Sequence, residues 1–321
     1  MISPWLSIIS PIYNGEKYLR SALDSIVIQD DQDIECIAVD GESTDSTLSI
    51  LESYQDKLPL RILQRERSSN WVSKTNYALS FAQGEYVCFL HHDDLWFPNR
   101  LRIMRRLAGE FPDAVLLLHP SNYFDTLGNI VGLWSCPLPP YPEIIKSELM
   151  IERLLIQNFI SILGPAFKRS AVSKAGDLDE ALWYTADWDF WLKIASCGET
   201  IYWPKPLSGF RIHSNSQTIV QSLHAGDFRN QLEVVANKYL SLLETRKKIN
   251  LEIQRVAEFS IEVNIALAGS VHGEKPNIIS LLVSFARLGL TGWYRYIRDS
   301  RIMERVTARL RAQLVRPNKK H

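Results

Sequence analysis

At 321 residues, 46% of them hydrophobic and 10% aromatic, the chain can bury a large core, which excludes overall disorder and leaves room for one large α/β domain with an appendage or for two modest domains. The formal net charge is zero, but residues 276–321 hold ten Lys/Arg against two Asp/Glu, leaving 26 basic and 34 acidic residues in the first 275. Nothing base-reading accompanies that basic tail, so nucleic acid is not an expected partner.

The elements alternate from the start. Leu6–Ile12 is an apolar run ending at the turn Tyr13-Asn14-Gly15, and a helix follows with Tyr18, Leu19, Ala22, Leu23 and Ile26 on one face. Ile34–Val39 reads as the second strand, broken by Asp40-Gly41. Ser43 or Thr44 can then cap a helix through Leu48, Leu51 and Tyr54. Leu60–Leu63 is a third strand, followed by a helix with Ala78, Leu79 and Ala82. Tyr86–Leu90 is a fourth, ending in His91-His92-Asp93-Asp94, and Pro98 starts another helix before a fifth strand at Ala114–Leu118. Beyond residue 120 the pattern loosens. Pro137, Pro139, Pro140 and Pro142 mark a loop, Ser147–Ile156 reads as helical, Ala166-Phe167 as extended and Trp188–Ala195 as strongly helical. After about residue 220 the chain reads as wholly helical, with a stripe of Phe228, Leu232, Val235, Tyr239 and Leu242.

Strands alternating with helices predict a mostly parallel sheet flanked by helices, in which ligands bind at the carboxyl ends of the strands. The polar clusters Asn14-Gly15, Asp40–Asp45 and His92–Asp94 fall at those ends. Cys36, Cys88, Cys136 and Cys197 lack the spacing of a zinc or redox motif and are expected to be reduced and buried. The N-terminus has no basic flank and reads as a strand rather than a signal. Ile278–Leu290 is shorter than the ~20 residues of a membrane-spanning helix.

Three carboxylate groups carry the chemistry. Asp40, at a strand end beside Gly41, can accept hydrogen bonds from a base or ribose, though a plain strand–turn–helix connection accounts for it equally well. Asp93 and Asp94 repel each other unless a cation intervenes, and Mg²⁺ or Mn²⁺ suits them as a bridge to a diphosphate. His91 and His92 are expected only to frame that turn. In Ala186-Asp187-Trp188-Asp189-Phe190-Trp191-Leu192, a carboxylate fixed by the buried aromatic face could deprotonate an acceptor hydroxyl, or merely favour the helix dipole.

Together these segments resemble the family 2 glycosyltransferases, which have the GT-A fold. The resemblance rests on Ser7–Leu19, Val39–Thr47, Asn76, Gly84–Asp94, Gly176-Asp177-Leu178-Asp179-Glu180 and Ala186–Lys193, in order, within about residues 5 to 215. It implies a Rossmann-like α/β fold, with a catalytic domain at 1–220 and a basic helical extension at 221–321. Pro11, Tyr13, Glu16, Asp40 and Asp93 then fall in the nucleotide pocket, Asp94 on a Mn²⁺ or Mg²⁺ ion, and Asp187 at the catalytic base. Ala186 departs from the family's Glu-Asp pattern, leaving Asp189 as a fallback base, and His92 departs from the metal motif. Arg211 and His213, in Arg211–Ser216, are candidates for diphosphate or metal contact.

The implied reaction is inverting transfer of a sugar from a nucleoside diphosphate, with UDP the expected carrier, to a glycan or lipid-linked hydroxyl in bacterial surface-polysaccharide assembly. The alternative is a degenerate GT-A protein that only binds nucleotide sugar. A dehydrogenase is disfavoured because no Gly-x-Gly-x-x-Gly follows the first strand. In the tail, Ile302, Val306, Leu310 and Leu314 interleave with Arg301, Arg305, Arg309 and Arg311. That spacing suits an amphipathic anchor on the inner face of the cell membrane, or a helix packed on the body. The expected location is cytoplasmic.

Overall fold

The computed structural model describes residues 3–213, 225–245, 251–271 and 275–307. Its centre is β1 (Leu6–Ile12), paired in parallel with β2 (Ile34–Asp40) and β4 (Tyr86–Phe89), and its apolar run is buried on both faces, as in a parallel sheet covered by helices. β3 (Leu60–Gln64) extends the sheet beyond β2. On the other side, β10 (Ala166–Lys168) inserts antiparallel between β4 and β6 (Leu116–Leu118). β11 (Thr200–Tyr202) then pairs parallel with β6, and β9 (Glu143–Ile145) closes the edge antiparallel. The eight-stranded order is β3-β2-β1-β4-β10-β6-β11-β9, so the sheet is mixed but mostly parallel.

Helices α1 (Leu19–Val27), α2 (Thr47–Glu52), α3 (Trp71–Leu79) and α4 (Arg100–Glu110) alternate with the first strands, as the periodicity predicts. The Asn70 side chain caps α3 by accepting from the Ser73 N–H at 2.8 Å. α4 begins two residues after Pro98, behind Asn99 in the left-handed region at φ 66°.

A second sheet was not foreseen. β5 (Leu95–Trp96), β12 (Ser208–Arg211), β7 (Ser121–Phe124) and β8 (Ile130–Trp134) form it in that order. Its strands are of two to five residues, too short for alternation to register. Pairing of Ser208 with Trp96 and Gly209 with Leu95 carries residues 211–213 past the turn that follows β4.

α5 (Ser147–Ile156), α6 (Arg169–Ala175) and α7 (Ala186–Ser196) complete the body. Phe89 of β4, Phe167 of β10, and Phe190 and Trp191 of α7 meet with ring centroids 5.1–6.0 Å apart, pinning α7 to the middle of the sheet. α8 (Ala225–Thr245) and α9 (Leu251–Val271) pack on α5, with Phe228, Leu232, Val235, Tyr239 and Leu243 buried in the same core as the sheet. α10 (Ile278–Arg287) and α11 (Gly289–Ser300) follow. None of the residues of α10 is buried, and Ile278, Ile279 and Leu282 are 62%, 76% and 62% exposed. Among the described residues no helix is long and apolar enough to cross a membrane. Cys36, Cys88 and Cys136 are buried free thiols and Cys197 is half-buried. Ser214–Ser216, Arg309, Leu310, Arg311 and Leu314 lie outside the described residues.

Candidate active site

The turn after β1 and the loop after β2 are fastened to each other at the carboxyl edge of the sheet. Asn14, at φ 47°, donates its N–H to Ser43 Oγ (2.9 Å) and accepts on Oδ1 from the Thr44 N–H (2.9 Å). The Gly15 N–H reaches Thr47 Oγ1 at 2.8 Å. A Cβ at Gly15 would stand 3.0 Å from the His92 ring, so this glycine admits the histidine of a neighbouring turn. Glu16 spends one carboxylate oxygen on the Ser46 N–H at 3.0 Å, a loop contact.

Asp40 closes β2 beside Ile12 and is buried. It accepts from the Ser43 N–H (3.1 Å) and Ser43 Oγ (2.5 Å). Its counter-charge is Lys74 of α3, a buried lysine whose pKa burial lowers while Asp40 opposes the fall. Lys74 Nζ lies 2.2 Å from the place a Cβ on Gly41 would take, and 5.5 Å from the Tyr13 ring centroid. Pro11 is buried within β1, and Tyr13 stands half-buried at its end. Sequence reasoning missed Lys74. The available signal was a lysine four residues before Ala78, and hence on the buried face of its helix.

After β4, the four residues His91-His92-Asp93-Asp94 make a polar turn, half-buried at the first three positions and buried at Asp94. Asp93 Oδ2 accepts from His213 Nε2 at 2.9 Å. Burial pushes the Asp93 carboxyl up, but the His213 hydrogen bond and the neighbouring His92 and His91 rings more than offset it, so Asp93 titrates below its ordinary range. Asp94 is 2% exposed and accepts on Oδ1 from the Arg211 N–H at 3.0 Å, while Oδ2 has no partner. Burial, and then the charge of Asp93, hold its pKa well above the ordinary value. His91 Nε2 and His92 Nδ1 are likewise buried without partners, and burial lowers the His91 pKa to about 4.

The ligand atoms of His91, Asp93 and Asp94 all lie within 4.8 Å of one another. Two carboxylates, a neutral imidazole and unpartnered buried lone pairs fit a hard or borderline divalent ion.

Arg211 serves this turn from behind. Its Nε donates to the Asp93 carbonyl (2.9 Å) and a terminal nitrogen to the Asp125 carbonyl (3.1 Å). Its guanidinium sits 4.3 Å from the Tyr18 ring centroid and 4.1 Å from that of Phe124. It is buried and acts as a clamp on the turn, while His213 is the residue of that loop whose ring meets the acidic pair.

Asp187 stands in the first turn of α7. Oδ1 accepts from the Trp188 N–H (2.8 Å) and Oδ2 from Asn158 Nδ2 (3.0 Å). It is half-buried. Burial lifts its pKa from 3.8 to about 6, against the lowering effect of those two donors. Asn158, in the loop after α5, carried no local signal in the sequence.

Asp189 differs in every respect. It is fully buried and accepts from Lys238 Nζ (2.7 Å) and Tyr239 OH (3.1 Å) of α8, with Lys193 Nζ at 3.0 Å. The Asn76 and Gly176–Glu180 segments lock to each other. Asn76 donates to the Leu178 carbonyl (2.9 Å) and accepts from the Leu178 N–H (3.1 Å), which ties the approach to α7 onto α3.

The sequence profile of Glycosyl transferase family 2 matches residues 7–172. A Rickettsia typhi protein described as an uncharacterised glycosyltransferase is 29% identical over 233 residues, covering 72% of this chain and 69% of that one. A Rickettsia felis relative with the same description is longer, and the match, 28% identical over 78% of this chain, spans 40% of it. The structure of Staphylococcus aureus TarS 1–349 in complex with UDP-GlcNAc superposes with a TM-score of 0.56 at 22% identity, over 95% of this chain and 91% of that one. The mannosyltransferase from Pyrobaculum calidifontis in complex with GDP-Man and Mn²⁺ gives 0.54 at 16% identity, over 99% and 89%. Both likenesses establish the fold, a GT-A α/β architecture.

Proposed function

The chain belongs to glycosyltransferase family 2, and on that premise we propose that it transfers a sugar, with inversion, from a nucleoside-diphosphate donor to a hydroxyl of a glycan or lipid-linked acceptor. The observation that carries this reading is Asp187. It is a half-buried carboxylate, aimed by Asn158, whose pKa of about 6 suits it to take a proton near neutral pH. UDP is the proposed carrier, supported by the UDP-GlcNAc bound in TarS.

Asp40, Tyr13 and Pro11 line the pocket for base and ribose, with Lys74 beneath them as a fixed positive charge. Glu16 borders that pocket and holds its second loop in place. Asp94 and Asp93 would hold a Mn²⁺ or Mg²⁺ ion, which supplies electrostatic stabilisation of the departing diphosphate when bound. His213 keeps Asp93 ionised, and Arg211 fixes the spacing of the acidic turn. An acceptor hydroxyl enters at Asp187, gives up its proton to Oδ2 or Oδ1, and attacks the anomeric carbon from the face opposite the diphosphate. One displacement inverts the configuration, so no covalent sugar–protein bond is required.

Calorimetric titration with UDP, GDP and dTDP, each with and without Mn²⁺, tests the reading. Metal-dependent binding of one nucleotide, lost in Asp94→Ala, supports it. Binding with no transfer activity for Asp187→Asn to abolish would instead indicate a degenerate nucleotide-sugar-binding protein.

The exposed apolar residues of α10 favour a second element of the proposal, that the enzyme works on the cytoplasmic face of a membrane. Ile278, Ile279, Leu282 and Val283 of α10, with Leu290 and Ile297 of α11, are exposed large hydrophobic residues. They lie next to a basic sequence, the arrangement that binds an anionic lipid surface. An acceptor carried on lipid, as in surface-polysaccharide assembly, is consistent with that placement.

A further inference from the structure

We infer that His91 is a protein ligand of the divalent ion, alongside Asp93 and Asp94, and that its imidazole biases the site toward Mn²⁺ over Mg²⁺. This rests on the metal dependence proposed above. From sequence alone, His91 was expected only to shape the turn.

Three observations carry the assignment. The ligand atoms of His91, Asp93 and Asp94 gather within 4.8 Å of one another. Asp94, 2% exposed, presents a buried oxygen without a partner, and His91 presents a buried Nε2 without a partner. Buried polar atoms left unsatisfied are unfavourable and uncommon, and of the three in this turn those of His91 and Asp94 belong to residues whose ligand atoms also cluster with Asp93, where one cation would serve both. Thirdly, the His91 ring is held edge-on to Trp71 with centroids 5.8 Å apart, which restrains its orientation. His213 differs from it in this respect, because its Nε2 is already engaged by Asp93.

The ion preference follows from the donor set. Mg²⁺ favours an all-oxygen shell and retains its water, whereas imidazole nitrogen is a better ligand for Mn²⁺ and the later divalent ions. A turn that offered only Asp93 and Asp94 would discriminate little between the two.

The test uses the full chain with UDP and Mn²⁺ or Mg²⁺. Pulsed electron paramagnetic resonance of bound Mn²⁺ should show modulation from a ligating ¹⁴N, with its depth reduced in His91→Ala. Mn²⁺ affinity should fall about tenfold or more in that variant. His91→Asp should keep metal binding but lower the Mn²⁺-to-Mg²⁺ affinity ratio, and it guards against a fold defect in the alanine variant. Unchanged ¹⁴N modulation in His91→Ala, or an unchanged affinity ratio in a folded His91→Asp, would overturn the assignment while leaving a metal site intact. Failure of the wild-type chain to bind Mn²⁺ with UDP present would refute the metal reading itself, and the His91 assignment with it.

Discussion

Asp187→Asn should make the protein nearly inactive, and its stability relative to the wild type should rise with pH. Its folded-state pKa is raised from 3.8 to about 6, so folding favours the protonated form. At a pH below 3.8 the group is neutral folded or unfolded and costs nothing. As the pH rises through 6 the charge must be held in a partly desolvated site. With ~1.4 kcal/mol for each tenfold change in proton affinity, the penalty reaches about 3 kcal/mol at pH 8 and about 1.6 kcal/mol at pH 5. Partial exposure of the side chain makes both values upper bounds. Asparagine carries no charge penalty, but its single oxygen can accept from only one of the two donors, a pH-independent loss, so the pH dependence of the gap and not its size is diagnostic. Urea unfolding should therefore show the variant gaining up to about 1.4 kcal/mol on the wild type between pH 5 and pH 8. Turnover of the variant should fall about 10²- to 10⁴-fold, the usual worth of a positioned base. A gap that stays constant across this range would refute the claim that Asp187 is held ionised at a cost.

Other expectations follow from the same contacts. For the wild-type enzyme, kcat/KM should fall tenfold per pH unit below about pH 6, the regime in which Asp187 is protonated. Asn158→Ala removes a donor to the carboxylate and should move that limb upward by about one pH unit, since a hydrogen bond to a charged group is worth roughly 1.5–3 kcal/mol. A pH–rate profile checks both, and an unmoved limb in the variant would exclude Asn158 from tuning the base. Lys74→Met should weaken UDP binding about tenfold by calorimetry, the worth of roughly 1.4 kcal/mol. An unchanged Kd would remove Lys74 from the pocket. Ile279→Glu with Leu282→Glu should abolish co-sedimentation with anionic vesicles while leaving UDP affinity untouched; retained sedimentation would point to another surface.

Much of the first half of the fold was legible because each element carries its own period. Leu6–Ile12 is buried on both faces and reads as unbroken apolar sequence, and the helix after it shows its stripe. β5, β7, β9, β11 and β12 have two to four residues each, and their pairing is decided by partners far away in sequence, such as Ser208 with Trp96. No local pattern encodes that. The same limit governs the candidate site. Asp40, Asp93, Asp94 and Asp187 stand at recognisable element ends, whereas Lys74 and Asn158 matter only through what the tertiary fold brings beside them. Residue chemistry alone does not separate Asp187 from Asp189, and only the family resemblance sets the base at Asp187 with Asp189 as its fallback. Their difference comes from opposite sides of one helix, one toward Asn158 and the other toward Lys238 and Tyr239.

The contact of Asp189 with α8 has a consequence for recombination. A fully buried carboxylate stripped of its amine and phenol partners is strongly destabilising, and here those partners sit 49 and 50 residues downstream. A chimera joining this catalytic sheet to a foreign helical extension would leave Asp189 inside the core beside only Lys193, on the helix that also bears Asp187. Exchange of the extension is therefore tolerable only where the incoming helix brings a cation and a hydroxyl at the same two adjacent positions, or where Asp189 is replaced together with it.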